Sequence, residues 1–252
     1  LATLVDSHDI DGAFYVLEDW RDAISLDELL RWCLEKNRSI PHNVYLNLAT
    51  QLCNALEALH GRPGQHSRVD SVLHLGITPS SVFITREGKV VLGRYGIVAN
   101  PTTLGAQATE ALAQRVEYLA PEQTHEDQEF GPATDIFALG TVLYEMLVLK
   151  PMFKDDSTLQ TIHRIRRAEV ITHLLEVKEL LPGLDKVLYR ALALNPRHRY
   201  QRAFVLREDL RGLMAGFSFA HIDDDTQNFL KPLPRSRGKD ATTDEVGGAI
   251  DS

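Results

Sequence analysis

A mainly helical α+β fold is expected from three features of this 252-residue sequence. Apolar residues recur at helical spacing over most of the chain, and almost exclusively so from Thr134 onward. Short β-rich runs are confined to the amino end and to the stretch around 81–92. Asp135 to Leu149 is apolar nearly all round, the pattern of a buried central helix.

The elements follow in order. Leu1 to Trp20 reads as two strands, with Asp9-Ile10-Asp11-Gly12 as the turn and Ala13-Phe14-Tyr15-Val16-Leu17 as the apolar second strand. Ser25 is placed to cap a helix, with Glu28 three residues later completing a capping box. Leu26, Leu29, Leu30 and Cys33 give that helix its apolar face. Pro41 opens a longer helix, where a proline in the first turn loses no hydrogen bond. Its stripe is Val44, Leu48, Leu52, Ala55, Leu56 and Leu59. A polar stretch, Gly61 to Asp70, leads to strands at Ser81–Thr85 and Lys89–Leu92 around the turn Arg86-Glu87-Gly88. A loop rich in Ala, Thr and Gln runs from Asn100 to about Gln114. After the central helix come helices marked by Leu159, Ile162 and Ile165, by Leu184 to Leu194, and by Arg202 to Ala215. The Pro- and Gly-containing end reads as a flexible tail.

Composition narrows the function. Hydrophobic residues make up 44% and charged residues 25%, as in a soluble globular protein. The 27 basic residues against 35 acidic ones give a net charge of -8, which argues against nucleic-acid binding. The basic run His163, Arg164, Arg166 and Arg167 reads as a solvated helix face. No apolar run approaches the roughly 20 residues of a membrane span, and no secretory signal opens the chain, so a cytoplasmic protein without membrane insertion is expected. Leu1 in place of Met suggests a piece of a longer protein. Cys33 and Cys53 sit in helical patterns as buried thiols, with no ligand spacing for a metal. No nucleophile elbow supports a Ser-His-Asp triad.

Five motifs then stand in one order. They are His74-Leu75-Gly76-Ile77-Thr78-Pro79-Ser80-Ser81, Arg94-Tyr95-Gly96, Ala120-Pro121-Glu122, Asp135-Ile136-Phe137-Ala138-Leu139-Gly140, and Asn195-Pro196-Arg197-His198-Arg199-Tyr200. In this order the chain, from Leu1 to about Ala215, resembles the larger lobe of a protein kinase, closest to bacterial serine/threonine kinases of eukaryotic type. The motifs stand where that family has its catalytic loop, its Asp-Phe-Gly, the Ala-Pro-Glu that ends the activation segment, the start of the central helix, and a late Asp-Pro-x-x-Arg-Tyr. The resemblance implies a kinase-like large lobe with a truncated small lobe. Residues 1–20 would be remnant small-lobe strands and hinge, 21–220 the large lobe, and 221–252 a carboxyl-terminal extension, flexible beyond 230.

Two departures bear on function. The glycine-rich loop, the ATP-anchoring lysine and its glutamate partner are not in these residues; either they lie upstream or the small lobe is lost. The chemical positions are also altered. Gly76 stands for the catalytic aspartate, Ser81 for the metal-binding asparagine and Arg94 for the metal-binding aspartate, and Arg115 replaces a threonine of the substrate loop. Glycine can neither orient a hydroxyl nor take its proton. Arg94 brings a permanent cation where magnesium needs a carboxylate. It either fills a dead site in solvent or holds a phosphate directly.

The scaffold positions are kept, by the same resemblance. His74 and Tyr95 belong to the family's internal stack, Asp135 caps the catalytic-loop backbone, and Glu122 and Arg199 form a buried ion pair. Leu17, Glu18 and Phe83 mark a vestigial adenine pocket. The implied function is that of a pseudokinase working through a protein partner, as scaffold or allosteric regulator in signalling. No metal or cofactor is expected; any ATP binding would be weak and metal-independent. The alternative is an atypical, residually active kinase completed by an upstream ATP-binding lobe.

Overall fold

The computed structural model describes residues 4–10, 13–18, 22–61, 72–93, 116–125 and 128–233, the first two stretches by their backbone alone. There β1 (Leu4–Ile10) and β2 (Ala13–Glu18) pair antiparallel, from Ile10 opposite Ala13 to Leu4 opposite Glu18, with an irregularity between Leu4 and Asp6. Three further short strands form one antiparallel sheet in the order β3 (Ala23–Ser25), β4 (Val82–Thr85), β5 (Val90–Leu92). β3 has no counterpart in the sequence reading. It pairs Ile24 with Ile84 and ends on the residue that caps the next helix.

That helix, α1 (Leu26–Glu35), starts with the expected capping box. Ser25 Oγ accepts from the Glu28 amide at 3.2 Å, and the Glu28 carboxylate accepts from the Ser25 amide at 2.8 Å. α2 (His42–His60) has Pro41 as its N-cap, so the proline sits just outside the helix and its carbonyl takes the first intrahelical bond, from Tyr45 at 2.8 Å. α3 (Pro132–Val148) is the axle of the molecule, with every residue from Ala133 to Leu147 buried. Such a helix has no polar face because other elements cover it on all sides. It stops at Leu149, whose φ of 61° is a left-handed cap.

Around α3 lie α4 (Thr158–Arg167), α5 (Ile171–Leu180), α6 (Leu184–Ala191) and α7 (Ala203–Met214). α5 is an addition to the sequence reading. α3 passes α6 so closely at Gly140 that a Cβ there would stand 3.0 Å from the Leu192 side chain. α7 packs along α2, where Glu57 accepts from the Phe204 amide at 2.9 Å and pairs with Arg202.

A last helix, α8 (Ile222–Leu230), was not expected, and it packs back onto the start of the chain. Phe229 meets Trp32 edge-on at 6.0 Å, with the Arg38 guanidinium over both rings. Asn43 donates to Asp225 at 2.9 Å and Asn47 to Thr226 at 3.2 Å. The β4–β5 turn completes this contact. Gly88 has φ +75°, and a Cβ on it would lie 2.7 Å from Thr226 Cγ2. Leu233 is buried too, so the packed chain runs past 230, where flexibility was expected to begin. Among the described residues no helix is long and apolar enough to cross a membrane.

Candidate functional site

The loop that follows the polar stretch is held from below by the first turn of α3. Asp135 is fully buried. Its Oδ1 accepts from the Leu75 amide at 2.7 Å, and its Oδ2 accepts from the His74 amide at 2.8 Å and meets His60 Nε2 at 2.9 Å. These bonds hold Leu75 at φ 56°, a conformation that a leucine adopts only under constraint. His60, at the last turn of α2, is a functional-loop support that periodicity did not single out. Its Nδ1 is buried and, among the described residues, has no hydrogen-bond partner.

His74 is buried and its tautomer follows from its neighbours. Nε2 lies 3.0 Å from the Gly93 carbonyl, which only accepts, while Nδ1 accepts from the Gly76 amide at 3.3 Å. The imidazole therefore carries its proton on Nε2 and bridges the loop to the residue after β5. Gly76 contributes its amide and no side chain. Three residues on, a 3-10 turn at Pro79–Ser81 leads into β4. Ser81 Oγ accepts from the Thr78 amide and donates to the Thr78 carbonyl, both at 3.0 Å. The hydroxyl is thus turned into its own loop. Phe83, on β4, is half-buried. Leu17 and Glu18 lie on β2, of which the backbone alone is described. Arg94, Tyr95 and Arg115 fall outside the described residues, as do the loop 100–114 and most of the polar stretch.

A second cluster ties the segment before α3 to the segment that follows α6. Glu122 and Arg199 are both buried and pair bidentately, at 2.8 and 2.9 Å. Arg199 Nη1 also donates to the Ala133 carbonyl at 3.0 Å, Nη2 to Leu194 at 3.0 Å and Nε to Ala193 at 2.7 Å. All five guanidinium protons are therefore used. The guanidinium lies 4.7 Å from the centre of the Phe137 ring. Gln123, which no motif pointed to, joins the two clusters. Its Nε2 donates to the Leu75 carbonyl at 3.2 Å and its Oε1 accepts from the Ala120 amide at 2.9 Å.

Beside this cluster Tyr118 donates to Glu145 Oε2 at 2.7 Å. Burial pushes the Glu145 carboxyl up to about 7, helped by Glu117 and Asp27 and opposed by the tyrosine hydrogen bond and by Lys154. The two cysteines are free and buried, and burial raises Cys33 to about 11 and Cys53 to about 12. Neither is poised as a nucleophile.

Comparisons with known proteins fit this geometry. The model of the protein kinase domain family matches residues 2–210. The chain is 28% identical over 204 residues to the probable serine/threonine-protein kinase SCO3848 of Streptomyces coelicolor, covering 80% of this chain and 28% of that protein. It is 26% identical over 236 residues to serine/threonine-protein kinase PknB of Mycolicibacterium smegmatis, covering 91% and 36%. Over 209 residues it is 26% identical to tyrosine-protein kinase MasK of Myxococcus xanthus, covering 81% and 32%. The chain spans about a third of the length of these curated relatives. Among solved structures, the kinase domain of Mycobacterium tuberculosis PknI shares the fold. Its TM-score is 0.60 at 19% identity, over 84% of this chain and 71% of that one.

Proposed function

This chain belongs to the protein kinase domain family, and from that premise we propose that it is a pseudokinase. It acts by protein–protein interaction, as a cytoplasmic scaffold or allosteric regulator in bacterial signalling. The observation that carries the reading is a loop whose frame is intact and whose chemistry is gone. Asp135, itself met by His60, fixes its backbone, yet the position of the base is Gly76. A glycine leaves an incoming hydroxyl with no group to orient it or take its proton.

A divalent ion does not fit these residues. Ser81 spends its hydroxyl proton and a lone pair on Thr78, and Gly76 has no side-chain ligand atom. By sequence, the remaining metal position is Arg94, a permanent cation. A nucleotide that binds here does so weakly and without magnesium. The relatives' names describe kinases, but the residues that would make this chain one are those replaced.

The test is transfer of radiolabelled phosphate from ATP to protein substrates, with magnesium and with manganese. No transfer is expected. Transfer that is abolished by substitutions next to Gly76 overturns the reading in favour of a residually active kinase completed by an ATP-binding lobe. A thermal-shift titration with ATP gives a second readout. A shift that requires magnesium contradicts the reading; no shift, or one indifferent to magnesium, agrees with it.

A further inference from the structure

Exposed apolar side chains are scattered over most protein surfaces, but here three of them line one groove. The groove, of about 530 Å³, runs between the end of α4, the start of α5 and the end of α6. Ile171, Tyr189 and Leu194 line it while remaining 61%, 59% and 51% exposed. Leu175, one turn further along α5 and 61% exposed, extends the same apolar edge.

Its charge is one-sided. Arg167, Arg190 and His198 line it, and among the described residues no aspartate or glutamate does. The carboxylates that pair with them are not among the lining residues: Glu169 stands 3.5 Å from Arg167 and Asp209 stands 3.8 Å from Arg190. Both contacts are long and solvent-exposed, so they neutralise the guanidiniums weakly. This basic edge belongs to a chain of net charge -8, which works against a second copy as the occupant. The complementary ligand has carboxylates for the edge and apolar side chains for the floor.

We propose that this groove docks an acidic peptide segment of a partner protein. Two of its apolar side chains sit against Ile171, Tyr189 and Leu194, and its carboxylates meet Arg167 and Arg190. The proposal rests on the reading above that the protein works by binding a partner. A volume of this size accommodates a few side chains and leaves the charged contacts at the rim, where they set encounter rate and selectivity.

The experiment is fluorescence anisotropy on the full chain with two labelled synthetic 12-residue peptides. One alternates Asp and Glu with Leu and Phe; the other carries Lys at every acidic position. The acidic peptide is expected to bind and the Lys peptide to fail. Ile171→Ser and Arg167→Glu should each weaken binding about tenfold, with unchanged melting temperature because both side chains are exposed. Leu34→Ser, at an exposed site on α1, should leave it unaltered. Absent or equal binding of the two peptides, or binding indifferent to Ile171→Ser and Arg167→Glu, overturns the proposal. So does a dimer that Ile171→Ser dissolves, which would assign the groove to a second copy. Binding that appears only after removal of 234–252 would assign it to the chain's own tail and equally overturns it. Phosphate transfer with peptide binding intact would defeat the pseudokinase reading and leave the groove standing; no transfer and no peptide binding would do the reverse.

Discussion

Arg199→Ala removes a side chain whose five protons all have buried or half-buried acceptors. The Glu122 carboxylate stays behind, 5% exposed and unpaired. Breaking a buried pair from one side costs about 3–5 kcal/mol, chiefly because the remaining charge is desolvated without compensation. For a chain of this size that lowers Tm by about 6–10 °C. The same reasoning makes the second half of the cycle informative. In Glu122→Gln/Arg199→Met no charge is left buried, so the double variant should lose less than the two single variants combined. The expected coupling is about 2 kcal/mol. Arg199→Lys should fall between wild type and alanine, since three donors on a flexible stem cannot reproduce the fork. Differential scanning calorimetry and urea unfolding on all variants give both quantities. A Tm within about 2 °C of wild type for Arg199→Ala, or strict additivity in the cycle, would refute the claim that desolvated charge dominates this cluster.

Three other outcomes follow from the geometry. Glu145 protonates more readily folded than unfolded, so it adds stability as the pH falls below about 7 and loses it as the pH rises again. Glu145→Gln should therefore flatten the dependence of stability on pH between about 4.5 and 7 and gain about 2–3 kcal/mol at the upper end; wild-type and variant profiles that run parallel over that range in urea unfolding would sink this. Gly88→Ala must accept φ +75° and a Cβ 2.7 Å from Thr226, and should cost about 1–3 kcal/mol, read as a lower urea midpoint. Phe229→Ala empties the contact with Trp32 and should cost about 3–5 kcal/mol if α8 is part of the cooperative core; a loss under about 1 kcal/mol would make α8 a loosely held appendage.

The legible parts of the fold were those with dense local signals. Asp135, His74, Glu122 and Arg199 stand in motifs, and α3 announces itself by having no polar face. What escaped has a physical explanation. β3 is three residues long and its last residue doubles as the N-cap of α1, so the capping signal was seen and the strand was not. α5 buries Leu174 and Val177 while exposing Ile171, Leu175 and Leu180, so its apolar pattern does not mark one inward face. α8 opens on three aspartates and buries only Thr226, Phe229 and Leu230; its partners lie on α1 and α2, far away in sequence. His60 acts through the Asp135 carboxylate and Gln123 through the Leu75 carbonyl, both distant in sequence, and no motif spacing records either bond.

The packing of α8 on α1 and α2 has a consequence for the way the protein is made. Asn43 and Asp225, joined in that contact, are 182 residues apart. At elongation rates of about 5–20 residues per second, the surface around Trp32 waits about 10–40 s on the ribosome before its cover emerges. Throughout that interval α1 and α2 present an apolar face to the nascent-chain environment. That face closes only when α8 emerges and Phe229 reaches the Trp32 ring, so this corner of the fold is completed by almost the last of the packed chain to be synthesised.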